Sequence, residues 1–164
     1  MATVENEYGS FGNDMNYMRA MAEKMRRHGI DVPFNTCGGS DPFKRLNGHL
    51  ENTWYTPDFG AHPDALKREM DVMAKAQPDK PFMCGEAWVG DIMFWGRGFE
   101  TERNIDGNAA FTKYALENNA SFNYYMFCGG TNPGPDLNET RDSGSWCETP
   151  VLTYQAHSPL AEYG

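Results

Sequence analysis

Two hydrophobic rhythms alternate along the chain. Short apolar runs end in glycine or polar clusters, as buried strands do. Between them, apolar residues recur every three or four positions, as on one face of a helix. Residues 2–6 give a first strand. Met15, Met18, Met21, Ala22 and Met25 then predict a helix over 13–28 with a core-facing methionine stripe, stopped by Gly29. A second strand is expected over 32–37, opened near Pro33 and ended by Gly38-Gly39, and a polar loop over 40–52. Residues 53–59 form a weaker strand, rich in Trp, Tyr and Thr, with Pro57 against it. His62-Pro63-Asp64 opens a helix whose apolar face is Ala65, Leu66, Met70, Met73 and Ala74, and Pro78 bars its continuation. A strand over 80–86, an irregular aromatic stretch over 89–105, a helix over 109–119 and a strand over 121–128 follow. Residues 131–150 read as loop.

Strand–helix alternation of this kind predicts a parallel sheet with crossover helices, either doubly wound or part of an eight-stranded barrel. No Gly-x-Gly-x-x-Gly or Walker loop follows any strand, which weakens the nucleotide-binding version. Two apolar runs end in an acid beside an aromatic ring: Val4-Glu5-Asn6-Glu7-Tyr8-Gly9, and 81–86 followed by Ala87-Trp88. Strand ends that deliver carboxylates favour the barrel, whose chemistry sits at the C-terminal ends of its strands. Five strands are too few to close one, because a complete barrel takes roughly 250 residues.

Charge and composition narrow the partners. The 164 residues suffice for one domain, and a formal charge of -9 with no basic patch argues against nucleic acid. No 18-residue apolar span is present, so no membrane partner is expected. Cys37, Cys84, Cys128 and Cys147 fit no zinc spacing, and the first three read as buried free thiols. His28, His49, His62 and His157 show no ligand spacing either, so neither a metal nor a cofactor is called for. Asn119-Ala120-Ser121 and Asn138-Glu139-Thr140 match the glycosylation tripeptide, a pattern common by chance.

Five blocks in order resemble glycoside hydrolase family 35, the β-galactosidases. They are 4–12 (Val-Glu-Asn-Glu-Tyr-Gly-Ser-Phe-Gly), Asp58-Phe59-Gly60, Gly85-Glu86-Ala87-Trp88-Val89-Gly90 with Trp95-Gly96, the run from Asn123 to Asn132, and a weaker one over 158–164. The resemblance implies a partial (β/α)8 TIM barrel, approximately strands four to eight, with the N-terminal strands missing. Residues 1–164 would then be a single incomplete catalytic domain. It implies retaining hydrolysis of a terminal β-galactoside, with Glu7 as acid/base and Glu86 as nucleophile. It also implies Asn6 on the sugar 2-hydroxyl, and Trp88 and Tyr125 lining the pocket. A secreted, periplasmic or lysosome-like compartment goes with the family, without a choice among them. Departures occur at Asp91 and Pro133, and Ala156 stands where the family carries a galactose-holding tyrosine.

The chemistry asks for two carboxyl groups in different protonation states, and a negative neighbour favours the protonated form of an acid. Glu5 competes with Glu7, since alternate residues on a strand face one side. A different class of function stays open: a carbohydrate-binding or otherwise inactive remnant of such an enzyme. An open part-barrel has unpaired strand edges, so self-association is expected.

Overall fold

The computed structural model describes residues 1–90, 92–95, 105–132, 139–141, 148–153, 158–160 and 162. Asp91, Pro133, Asn138, Cys147, Ala156 and His157 lie outside the described residues. The chain alternates strand and helix as its rhythms predict. Strand β1 (Ala2–Asn6) runs through a single turn, α1 (Tyr8–Phe11), into α2 (Met15–Arg27). Then come β2 (Phe34–Gly38), α3 (Pro42–Gly48), β3 (Trp54–Gly60) and α4 (Pro63–Ala76). Strand β4 (Met83–Trp88) is followed by the short β5 (Met93–Phe94), α5 (Ile105–Glu117) and β6 (Ser121–Tyr125). Two more strands, β7 (Glu139–Arg141) and β8 (Glu148–Thr153), join β5 in a small antiparallel sheet.

The main sheet has the order β1-β2-β3-β4-β6, and every pair in it is parallel. Spatial order follows chain order without reversal. A doubly wound sheet reverses at a switch point, whereas a barrel winds one way. The sheet is also curled. A Cβ placed on Gly85 in β4 would sit 2.6 Å from Cys37 Sγ in β2, two strands away. In a flat sheet next-nearest strands lie about 9.5 Å apart. The fold is α/β, and its five-stranded sheet is consistent with part of a barrel.

The helices cover the convex face with two clusters. Val4, Met18, Phe34 and Leu50 pack beneath α2, joined by Met15, Met21, Ala22 and Met25, so the methionine stripe is core. Phe59, Leu66, Cys84, Ala87, Val89, Phe111 and Ala115 fill the space between β3, β4 and helices α4 and α5. Asp14 caps α2 by accepting from the N–H groups of Asn16 and Tyr17, and Gly29 takes the positive φ of 85° that a helix stop uses.

Three expectations need correction, and the strand expected over 53–59 stands with Pro57 inside it. The polar stretch expected as loop contains α3, capped by Asp41 with Pro42 in the first turn. It carries no apolar stripe because Phe43 and Leu46 point outward, 71% and 79% exposed. The stretch over 131–150 holds β7 and the start of β8. Pro57 lies inside a seven-residue strand. It is tolerated because the ladder to β2 ends at Pro57 and the ladder to β4 begins at Asp58. Ahead of that hand-over, the Gln77 side chain serves as a substitute strand, accepting from Tyr55 N–H at 3.1 Å and donating to Tyr55 C=O at 2.6 Å. Cys37 and Cys84 are buried free thiols, but Cys128 is exposed, since β6 stops at Tyr125.

Candidate active site

Strand ends β1, β3 and β4 bring three acids together. Carboxylate oxygens of Glu7, Asp58 and Glu86 all lie within 4.8 Å of one another. Asp58 is opposite Glu86 in the β3–β4 register, and Trp88 is opposite Tyr125 in the β4–β6 register. Glu7, Asn6, Glu86, Trp88 and Tyr125 therefore all occupy one end of the sheet. Glu86 is held from two sides: Trp88 Nε1–H donates to its Oε2 at 3.0 Å, and the Asn6 side chain hydrogen-bonds to the same carboxylate.

Strand irregularities aim these groups. The β4–β6 register shifts between Cys84 and Ala87. Both residues belong to the convex-face core although they are three apart, so the two between them, Gly85 and Glu86, both turn to the concave face. The β1–β2 register likewise shifts between Thr3 and Asn6. Thr3 bonds Asn35 inside the sheet at 3.1 Å, while Glu5 accepts from Tyr17 Oη on α2 at 2.5 Å. Bulges of this kind re-aim side chains beside active sites.

The strict alternation that would put Glu5 and Glu7 on one side is therefore broken. Asn6 takes the inner direction, and Glu5 is tied to α2 away from the acids. Glu7 lies just past the strand in the left-handed region, φ 51° and ψ 25°. Its N–H donates to Cys37 C=O at 2.9 Å, which anchors that turn on β2.

Asp58 is the site residue that the sequence reading left without a role. It is 7% exposed, on a strand whose middle is buried throughout. Burial, then the Glu7 and Glu86 charges, then a hydrogen bond with Glu7 push its carboxyl up to about 8, against a smaller pull down from Lys44. Burial chiefly raises Glu86 too, with Glu7 adding to the rise and the bonds from Trp88 and Asn6 opposing it. In the sequence Asp58 showed as an acid inside an otherwise uncharged Trp-Tyr-Thr-Pro-Asp-Phe-Gly run and as the first residue of the family-like Asp58-Phe59-Gly60 block, with no role attached to it. A hard cation takes six or more oxygens, and the N–H of Trp88 already claims a Glu86 oxygen, so this set suits protons better than a metal.

Stability should carry the mark of Asp58. Unfolded, it ionises near pH 4; folded, it keeps its proton up to about 8, so folding takes up a proton between those values. That contribution is complete below the unfolded value and fades as pH rises through the folded one. His49, which burial holds neutral, works the other way below its usual range. The clean window is thus roughly pH 6.5 to 8. Urea midpoints are expected to fall across it, and Asp58→Asn to flatten the slope; an unchanged slope in the variant would assign it elsewhere.

Comparisons with known proteins give the family. The profile of Glycosyl hydrolases family 35 matches residues 1–164. The chain is 36% identical over 133 residues to a beta-galactosidase of Felis catus, covering 79% of this chain and 19% of that protein. It is 34% identical over 163 residues to the beta-galactosidase of Homo sapiens (98% and 23%). It is 30% identical over 178 residues to beta-galactosidase 1 of Dictyostelium discoideum (100% and 26%). The chain spans about a quarter of the length of such relatives. With the profile matched from end to end, the chain belongs to glycosyl hydrolase family 35.

Proposed function

We propose that the chain is part of the catalytic barrel of a retaining β-galactosidase, with Glu86 as nucleophile and Glu7 as acid/base. One observation carries the reading: the Glu7 and Glu86 carboxylate oxygens approach within 4.8 Å. Retaining enzymes hold their two carboxyl groups about 5–5.5 Å apart, whereas inverting ones leave about 6.5–9.5 Å for a water molecule. Glu86 attacks the anomeric carbon while Glu7 protonates the departing oxygen, giving a glycosyl ester on Glu86. Glu7 then takes a proton from water, which opens the ester. The donors on Glu86 fix its direction of attack, and the charge they stabilise is the one the nucleophile must carry. Asn6, hydrogen-bonded to Glu86, would also meet the sugar 2-hydroxyl, and Trp88 and Tyr125 would wall the pocket.

In this reading residues 1–164 are one incomplete catalytic domain, and its five parallel strands correspond to strands four to eight of the barrel. Galactose as the sugar rests on the relatives being beta-galactosidases by name. The test is release of nitrophenol from a panel of aryl β-glycosides, run beside Glu86→Gln. Preferred cleavage of the galactoside that disappears in the variant is expected. Galactoside binding without turnover would favour the inactive remnant.

Self-association belongs to the same proposal. On β6 the side chains of Ser121, Asn123 and Tyr125 are exposed while those between them pack on α5. Among the described residues no strand pairs with the outer edge of β1, and an edge of this kind favours pairing with another chain. Sedimentation is expected to give species larger than 18.5 kDa that grow with concentration. A monomer at every concentration would remove this part.

A further inference from the structure

We propose that Asp58 is a positioning residue that works as a neutral carboxylic acid, its O–H donating to Glu7 and setting that side chain against Glu86. The argument starts from what surrounds it. Asp58 is more than nine-tenths buried, and its Oδ2 receives no hydrogen bond from any described residue. Its close neighbours in the site are two further carboxylates, which only accept while ionised. As an anion, Asp58 would leave a buried oxygen with no donor beside two like charges, an arrangement of high cost. As an acid, it supplies the missing proton itself.

The charged and titratable groups facing it come from every neighbouring element: Glu7 after β1, Cys37 in β2, Lys44 in α3, and Cys84 and Glu86 in β4. Lys44 is the single cation among them, and its influence on Asp58 is the smallest of the causes at work. The thiols of Cys37 and Cys84 are themselves pushed up by burial and stay neutral, so they bring no charge. The balance favours the protonated carboxyl, in line with a value up to about 8.

The role then follows, and here it rests on the glycosidase reading. An O–H directed at one oxygen of Glu7 leaves the other free to face substrate. When Glu7 gives its proton to the leaving oxygen it becomes an anion, and the Asp58 bond strengthens as that charge develops. An interaction that grows in this way assists the reaction step, as opposed to substrate binding alone. Above about pH 8 Asp58 ionises, the bond is lost, and repulsion replaces it.

The test is a 13C NMR titration of the side-chain carboxyls in this chain, which needs no turnover. One Asp carboxyl should keep its proton up to about pH 8. That step should be missing in Asp58→Asn and should fall by about one unit or more in Glu7→Gln, where the neighbouring charge and acceptor are altered. A step that survives in Asp58→Asn, or that Glu7→Gln leaves in place, would overturn the proposal. So would a step abolished by calcium chloride, since a cation would then balance the acids. In a form that cleaves aryl β-galactoside, Asp58→Asn keeps a donor at every pH. The alkaline fall in kcat/KM should move to higher pH, while Asp58→Ala loses rate throughout. Identical alkaline limbs in wild type and Asp58→Asn would also count against it. Absence of turnover bears on the glycosidase reading alone, and the NMR result stands apart from it.

Discussion

Glu86→Gln is expected to lower hydrolysis of a nitrophenyl β-galactoside by roughly 10³-fold or more, measured in a barrel-complete protein, with the fold intact. The amide cannot form the glycosyl ester, so the two-step route closes. The fold should persist because the substitution removes one of three crowded acids, and with it one of the negative charges that bear on Asp58. Glu7→Gln should behave differently. Nitrophenol leaves with little proton help, so bond cleavage should survive better than release of the enzyme-bound sugar, which needs a general base worth about 10²–10⁴-fold. Near-normal turnover in Glu86→Gln would end the assignment of Glu86 as nucleophile.

Gly9→Ala carries the largest expected effect on stability. A Cβ there would meet Lys44 C=O at 1.9 Å and Gly48 N at 2.8 Å, both backbone atoms of α3. Neither can yield without parting α1 from α3. Overpacking of this kind costs roughly 3 kcal/mol or more, a large share of the 5–15 kcal/mol that holds a domain. Gly29→Ala makes the contrast: nothing lies within 4 Å of its added Cβ, and only its φ of 85° is at stake. That change should cost about 1 kcal/mol. Denaturant midpoints compare the two directly, and equal shifts would show that the α1–α3 contact does not matter. Because α1 begins just after Glu7, Gly9→Ala should also misplace that acid.

Most of the fold could be read from periodicity because its helices each lay one face on the sheet. The methionines of α2 and the Leu66–Met73 face of α4 follow that rule. α3 escaped because it packs through Gly48 against Gly9, a backbone contact with no side chain to set a rhythm. Its Asp41-Pro42 start was the available sign. The acids at 7 and 86 stood out because each closes an apolar run. The choice of Glu7 over Glu5 came from the family motif, since the period of two favoured neither. Register shifts in β1 and β4 then reverse that period locally, and a shift of register depends on the partner strand. Asp58 was hidden for a related reason. Its importance arises from which residues face it across two neighbouring strands, and a linear pattern does not record that.

The left-handed backbone at Glu7 has a cost that is paid at all times, whether or not sugar is present. A non-glycine residue held there gives up about 1 kcal/mol, and Asp58 adds the burden of a buried acid. Glycine at position 7 or an amide at position 58 would relieve the chain. A library of variants sorted only for surviving heat should therefore discard these two side chains early. Its hardiest members would be those least able to do chemistry.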